Sequence, residues 1–125
     1  MMTKRILLID DDPDIRAVTQ VALEKFAGWQ VITAASGAEG LVQAQNKGLD
    51  GILLDISMPD MDGFSVFANL QANAGTRQIP VVLLTAKILP SDRRRFADMG
   101  VAGVMPKPFN PVTVCDQLAH LFGWG

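Results

Sequence analysis

A chain of 125 residues, 49% apolar and 19% charged, can bury one core and is too short for two ordinary domains. Its formal net charge of −2 offers no basic face to nucleic acid, and its single cysteine cannot close an internal disulfide, which suits a reducing compartment. The first apolar run, ILLI, is too short for a signal peptide or a membrane span, so a cytoplasmic location without membrane partners is expected.

In chain order, the first predicted strand is RILLI, which runs straight into Asp10, Asp11 and Asp12. Asp12-Pro13 then predicts a helix start, a capping carboxylate followed by proline at the first helical position. Ile15, Val18, Ala22 and Phe26 recur at helical spacing and form the expected inward stripe. WQVITA is the second predicted strand. Ser36 and Glu39 have the spacing of a capping box, opening a helix to about Asn46.

GILL is the third strand, and it ends in Asp55. Asp62 is expected to cap a helix carrying Phe64, Phe67 and Leu70. VVLL, ending at Thr85, is the fourth strand; a helix follows Ser91, turns Phe96 and Ala97 inward and stops at Gly100. AGVM, running into Lys107, is the fifth strand. The last helix is expected from about Pro111 to Phe122, with Val112, Cys115, Ala119 and Phe122 on one side. Only Gly-Trp-Gly follows, so a single domain over residues 1–125 with no output domain is expected.

Runs that are apolar throughout read as strands buried on both faces of a parallel sheet. Alternation with helices predicts right-handed crossovers and an open α/β sheet covered on both sides. Such sheets bind ligands beyond the carboxyl ends of their strands. Here those ends carry Asp10, Asp11, Asp12, Asp55, Thr85 and Lys107, which would converge on one crevice.

Neighbouring carboxylates repel unless a cation sits among them, and hard oxygen ligands of this kind suit Mg²⁺. With the cation bound, one carboxylate can stay ionised and attack phosphorus. Lys107 can hold a phosphoryl oxygen as a point charge, and Thr85 can donate a hydrogen bond to another. On that reading Asp55 is the phosphoryl acceptor.

The motifs ILLIDDDP, LLDISMPDMDG, LLTA and PKPF, in this order, resemble those of the receiver domains of bacterial two-component response regulators, over nearly the whole chain. The resemblance implies a flavodoxin-like (βα)5 fold with strand order 2-1-3-4-5. It implies phosphorylation of Asp55 by a histidine kinase or histidine phosphotransfer protein, switching contacts with a downstream protein. The domain would catalyse its own phosphorylation and dephosphorylation rather than act as an enzyme on other substrates. Asp11 would ligate Mg²⁺ directly and Asp10 largely through water, with Asp55 and the backbone carbonyl of Ser57 completing the protein ligands. Thr85 would be the switch hydroxyl and Lys107 the phosphate-binding lysine, joined to Pro108 by a cis peptide bond. One position departs from the family pattern: three residues before the lysine, where an aromatic residue or histidine is common, stands Val104.

Two other readings use the same residues. Asp10-x-Asp12 formally fits a small Mg²⁺-dependent phosphatase of the haloacid dehalogenase type, with Asp10 as nucleophile, although Asp14 stands where that family has threonine. A phosphorylation-independent adaptor is the third. Asp12, Asp60 and Asp62 read as cap or turn residues, His120 as part of a polar helix face with Thr113, Asp116 and Gln117, and Cys115 as core packing. Arg93, Arg94 and Arg95 read as a solvated helix face.

Overall fold

A computed structural model describes residues 3–46, 48–86 and 90–124, with backbone alone at Pro90, Ser91 and Arg93. Among these, five strands alternate with five helices: β1 (Arg5–Ile9), α1 (Pro13–Ala27), β2 (Gln30–Ala34), α2 (Gly37–Gln43), β3 (Gly51–Asp55), α3 (Gly63–Ala72), β4 (Val81–Thr85), α4 (Pro90–Met99), β5 (Gly103–Pro106) and α5 (Val114–Phe122). All pairs are parallel and the order is β2-β1-β3-β4-β5, the order expected. The connection reverses direction between β1 and β3, so the ends of these two strands flank the crevice where such sheets bind ligands.

Alternate residues of each strand enter separate cores. Leu7, Ile9, Ile52, Leu54 and Leu83 face one side with Val66, Phe67, Leu70 and Phe96. Ile6, Leu8, Leu53, Val82 and Leu84 face the other with Ala22, Leu23, Val114, Cys115 and Leu118. Burial on both faces is why β1, β3 and β4 read as unbroken apolar runs.

The caps form as expected. Asp12 Oδ1 accepts from the N–H groups of Asp14 (2.9 Å) and Ile15 (3.2 Å), and Asp62 Oδ1 from Ser65 (2.8 Å). Ser36 Oγ accepts from Glu39 N–H at 3.1 Å, while Glu39 reaches back to Ala35 N–H at 2.8 Å.

The inward faces of three helices differ from expectation. On α1, Ala22 is buried, but Val18 and Phe26 are 50% and 61% exposed, and Thr19 and Leu23 take the inner positions. On α4, Phe96 is buried and Ala97 exposed. On the last helix Val114, Cys115 and Leu118 face the core, with Val112 69% exposed. Residues 111–113 form a turn around Asn110, whose Oδ1 accepts from Val112 N–H (2.8 Å) and whose carbonyl accepts from Thr113 (3.1 Å) and Val114 (3.0 Å). This local bonding delays α5 to Val114. The second helix likewise ends at Gln43, short of Asn46, and β2 starts at Gln30, since the Trp29 N–H donates to Leu23 O (3.3 Å) in the C-terminal cap of α1. The side chain of Arg93 lies outside the described residues.

Candidate functional site

β1 delivers Asp10 to the carboxyl edge of the sheet, where it is fully buried. Its backbone N–H donates to Ala34 O (3.1 Å), and its Oδ1 accepts from Asp12 N–H (2.9 Å). Oδ2 meets the Lys107 ammonium at 2.9 Å and accepts no other hydrogen bond among the described residues.

The adjacent strand β3 ends in Asp55, only 3% exposed. Its Oδ1 lies 3.1 Å from Lys107 Nζ and accepts from Ser57 N–H at 3.3 Å. Lys107 follows β5, and its backbone N–H donates to Thr85 O at 2.7 Å, which ties the lysine to the end of β4. The Lys107–Pro108 peptide bond is cis, as expected. Asp11 completes the group: one oxygen each of Asp10, Asp11 and Asp55 lies within 4.8 Å of the others.

Burial, and next the negative charge of Asp10, push the Asp55 carboxyl above the ordinary carboxylate range, with Lys107 opposing both. For Lys107 burial works against the charged form, yet the hydrogen bonds to Asp10 and then Asp55 outweigh it and raise the pKa. Three carboxylates gather here and the Lys107 ammonium pairs with Asp10 and Asp55, which leaves a surplus of negative charge. An all-oxygen donor set with that surplus fits a hard divalent cation such as Mg²⁺.

The loop after Asp55 is held from two directions. Gly63 N–H donates to Ile56 O at 2.7 Å, and Asp60 reaches across to the N–H groups of Gly37 and Ala38, both at 3.1 Å. Those two bonds, Gly37 first, hold the Asp60 carboxyl below the usual range. A Cβ on Gly63 would lie 2.6 Å from Ile56 Cα and 2.7 Å from Asp55 O, backbone atoms that cannot swing aside. Gly63→Ala is therefore expected to displace the loop after Asp55 and cost about 1–3 kcal/mol, as overpacking does. Urea unfolding of the two proteins checks this, and an unchanged midpoint would show that the loop yields freely.

Of the residues singled out from sequence, Asp10, Asp11, Asp55 and Lys107 meet in one cluster. Thr85 borders it, buried at the end of β4 and paired in register with Pro106. Ser57 follows it on the loop after Asp55, its N–H donating to Asp55 Oδ1. Asp12 does not join the group of Asp10, Asp11 and Asp55; its Oδ1 caps α1. His120 is exposed, and the buried Cys115 thiol donates to Ala22 O at 3.4 Å.

Asp60, a cap or turn residue by sequence, bonds to groups more than twenty positions away, and no local pattern announces those partners. Arg16 escaped the sequence reading. Arg16 donates from Nη1 to Asp10 O at 2.8 Å, and a cation one turn into the helix after an acidic strand end was a usable signal.

The family described as response regulator receiver domain matches residues 6–119. The chain belongs to that family. As a receiver domain it is a signalling module of two-component systems. It is 36% identical over 110 residues to the alkaline phosphatase synthesis transcriptional regulatory protein PhoP of Bacillus subtilis, covering 88% of this chain and 45% of that protein. A chemotaxis response regulator of Vibrio cholerae superposes with a TM-score of 0.87 at 32% identity, covering 96% of this chain and 99% of that one. A sensor histidine kinase receiver domain from Pseudomonas aeruginosa, with a magnesium ion coordinated in its active site cleft, superposes with a TM-score of 0.83 at 29% identity, over 98% and 99% of the two chains. The chain spans less than half the length of the curated relatives it matches. No helix among the described residues is long and apolar enough to cross a membrane.

Proposed function

We propose that this receiver domain accepts a phosphoryl group on Asp55 from a histidine kinase or histidine phosphotransfer protein, and so switches its contacts with a downstream protein. An Asp55 oxygen attacks phosphorus, the bond from phosphorus to the donor's imidazole nitrogen breaks, and its electron pair leaves with the imidazole. Bound Mg²⁺, held by Asp10, Asp11, Asp55 and the Ser57 carbonyl, supplies the positive charge that offsets both the carboxylates and the phosphoryl oxygens. Lys107 turns its ammonium from the Asp55 carboxylate to a phosphoryl oxygen, and the Thr85 hydroxyl donates to another. The domain assists its own phosphorylation and dephosphorylation and acts on partners by contact.

The observation that carries this reading is the buried Asp55 carboxylate 3.1 Å from the Lys107 ammonium, in one cluster with Asp10 and Asp11. Treatment with acetyl phosphate and Mg²⁺ tests it: one labile modification is expected, mapped to Asp55 after borohydride trapping. Modification at Asp10 would transfer the case to the phosphatase reading. No modification by any phosphodonor would favour the adaptor.

Val104 shapes the response. It lies half-buried beside the core that includes Leu83 and Phe96, and its short branched side chain has no long lever to swing. A ligand moves an equilibrium only by its differential interaction with the two states, and an absent ring removes one source of that difference. With beryllofluoride as a stable phosphate mimic, amide shifts are expected to concentrate at residues 56–63 and 86–91. Equally large shifts across 101–105 and the outer face of 111–122 would mean that another residue supplies the lever.

A further inference from the structure

Arg16, the fourth residue of α1, closes the turn between the first strand and the first helix at both ends. Its backbone N–H donates to Asp12 O at 3.0 Å, and its guanidinium crosses back to donate to Asp10 O at 2.8 Å. Asp10 is further fixed through its N–H to Ala34 and through both carboxylate oxygens. Asp11 differs: it is exposed, and no hydrogen bond or ion pair of its side chain exists among the described residues. Its carboxylate nevertheless lies in the cluster with Asp10 and Asp55. What aims it is therefore the backbone, whose Asp11–Asp12 peptide is held by Asp10 Oδ1 and whose Asp10–Asp11 peptide is held by Arg16.

We propose that Arg16 is a positioning residue for the divalent-cation site. By fixing the Asp10 carbonyl it fixes the plane of the Asp10–Asp11 peptide, and so directs the Asp11 carboxylate toward Asp10 and Asp55. The inference rests on the cation-dependent phosphoacceptor reading above and adds a residue to it. The guanidinium acts on the site in two opposed ways. Its positive charge repels a cation, weakly where solvent screens it, whereas its hydrogen bond orders a ligand. A neutral side chain at position 16 thus strengthens cation binding if charge dominates and weakens it if positioning does.

Calorimetric titration of the full chain with Mg²⁺ separates the two. Arg16→Met, which removes charge and donor, is expected to weaken binding by about tenfold or more, as loss of an outer hydrogen-bond partner typically does. Its metal-free melting temperature should change little, and amide shifts before metal addition should be confined to residues near 10–12. Arg16→Lys keeps the charge on a stem that ends short of Nη1, so a smaller but measurable loss is expected. Mg²⁺ binding by Arg16→Met as tight as wild type, or tighter, overturns the proposal. If the Met variant does not fold, Arg16→Lys decides, and an affinity equal to wild type overturns it equally. A wild-type chain that binds no Mg²⁺ would instead sink the cation-dependent reading itself.

Discussion

Asp55→Asn is expected to abolish phosphorylation and, in the same protein, to raise the melting temperature of the metal-free chain at neutral pH. The first effect follows from chemistry, because an amide nitrogen or oxygen cannot replace the attacking carboxylate. The second follows from the direction of the Asp55 shift. Burial and then Asp10 raise its pKa, so the folded state disfavours the ionised form. A carboxylate with a raised folded pKa contributes stability below its unfolded pKa and loses it as pH rises through the folded value. Asparagine keeps the shape without the charge, so the variant escapes that loss. A gain of about 1 kcal/mol corresponds to roughly 3–6 °C for a domain of this size. The difference should shrink as the pH is lowered toward the ordinary carboxylate range, where wild type protonates too. Scanning calorimetry across pH measures this; a variant less stable than wild type at neutral pH would mean the Lys107 pairing outweighs burial.

Lys107→Ala should have the largest effect on the unphosphorylated protein. The ammonium is the cation that Asp10 and Asp55 share, with the carboxylate side chains 0% and 4% exposed. Removing one partner of a buried pair leaves uncompensated charge and typically costs about 3–5 kcal/mol. The pH dependence has a definite sign. Lys107 has a raised pKa, so its contribution is present across neutral pH and is lost in wild type only as pH rises through that raised value. In the variant the deficit should instead narrow toward acid pH, because protonating Asp55, whose pKa burial and Asp10 raise, relieves the repulsion. Mg²⁺ should restore part of the loss, since a ligand at a hundred times its Kd stabilises by about 2.7 kcal/mol.

Some phosphorylation of Lys107→Ala by acetyl phosphate is expected to survive with Mg²⁺ present. The amide shifts that accompany phosphorylation in the loop after β5 should not, because in the proposed function the ammonium ties that loop to the phosphoryl group. Unchanged shifts in the variant would contradict the lysine's role.

The order of elements and the meeting of Asp10, Asp11, Asp55 and Lys107 were legible because each rests on local chemistry and on strands that end together. A run such as GILLD can be buried on both faces only within a covered parallel sheet, and its terminal carboxylate then lies at the ligand-binding edge. Asp12, Ser36 and Asp62 announce helix starts through bonds to N–H groups within three residues.

The inner face of α1 was not legible. Val18, Val21 and Phe26 form an apolar set as plausible as the buried one, and Thr19 looks polar although its side chain is fully enclosed. Helical periodicity names a stripe, but docking against the sheet and α5 selects its rotation, and that choice depends on residues far along the chain. The same limit hid the partners of Asp60, the N–H groups of Gly37 and Ala38. Composition, caps and strand ends were enough for the fold, the acidic cluster and its lysine, since those depend on neighbours in sequence or on parallel strands ending together. Which face of a helix turns inward and which N–H groups Asp60 ties down were decided only when the helices packed, because those contacts join segments whose proximity exists only in the folded chain.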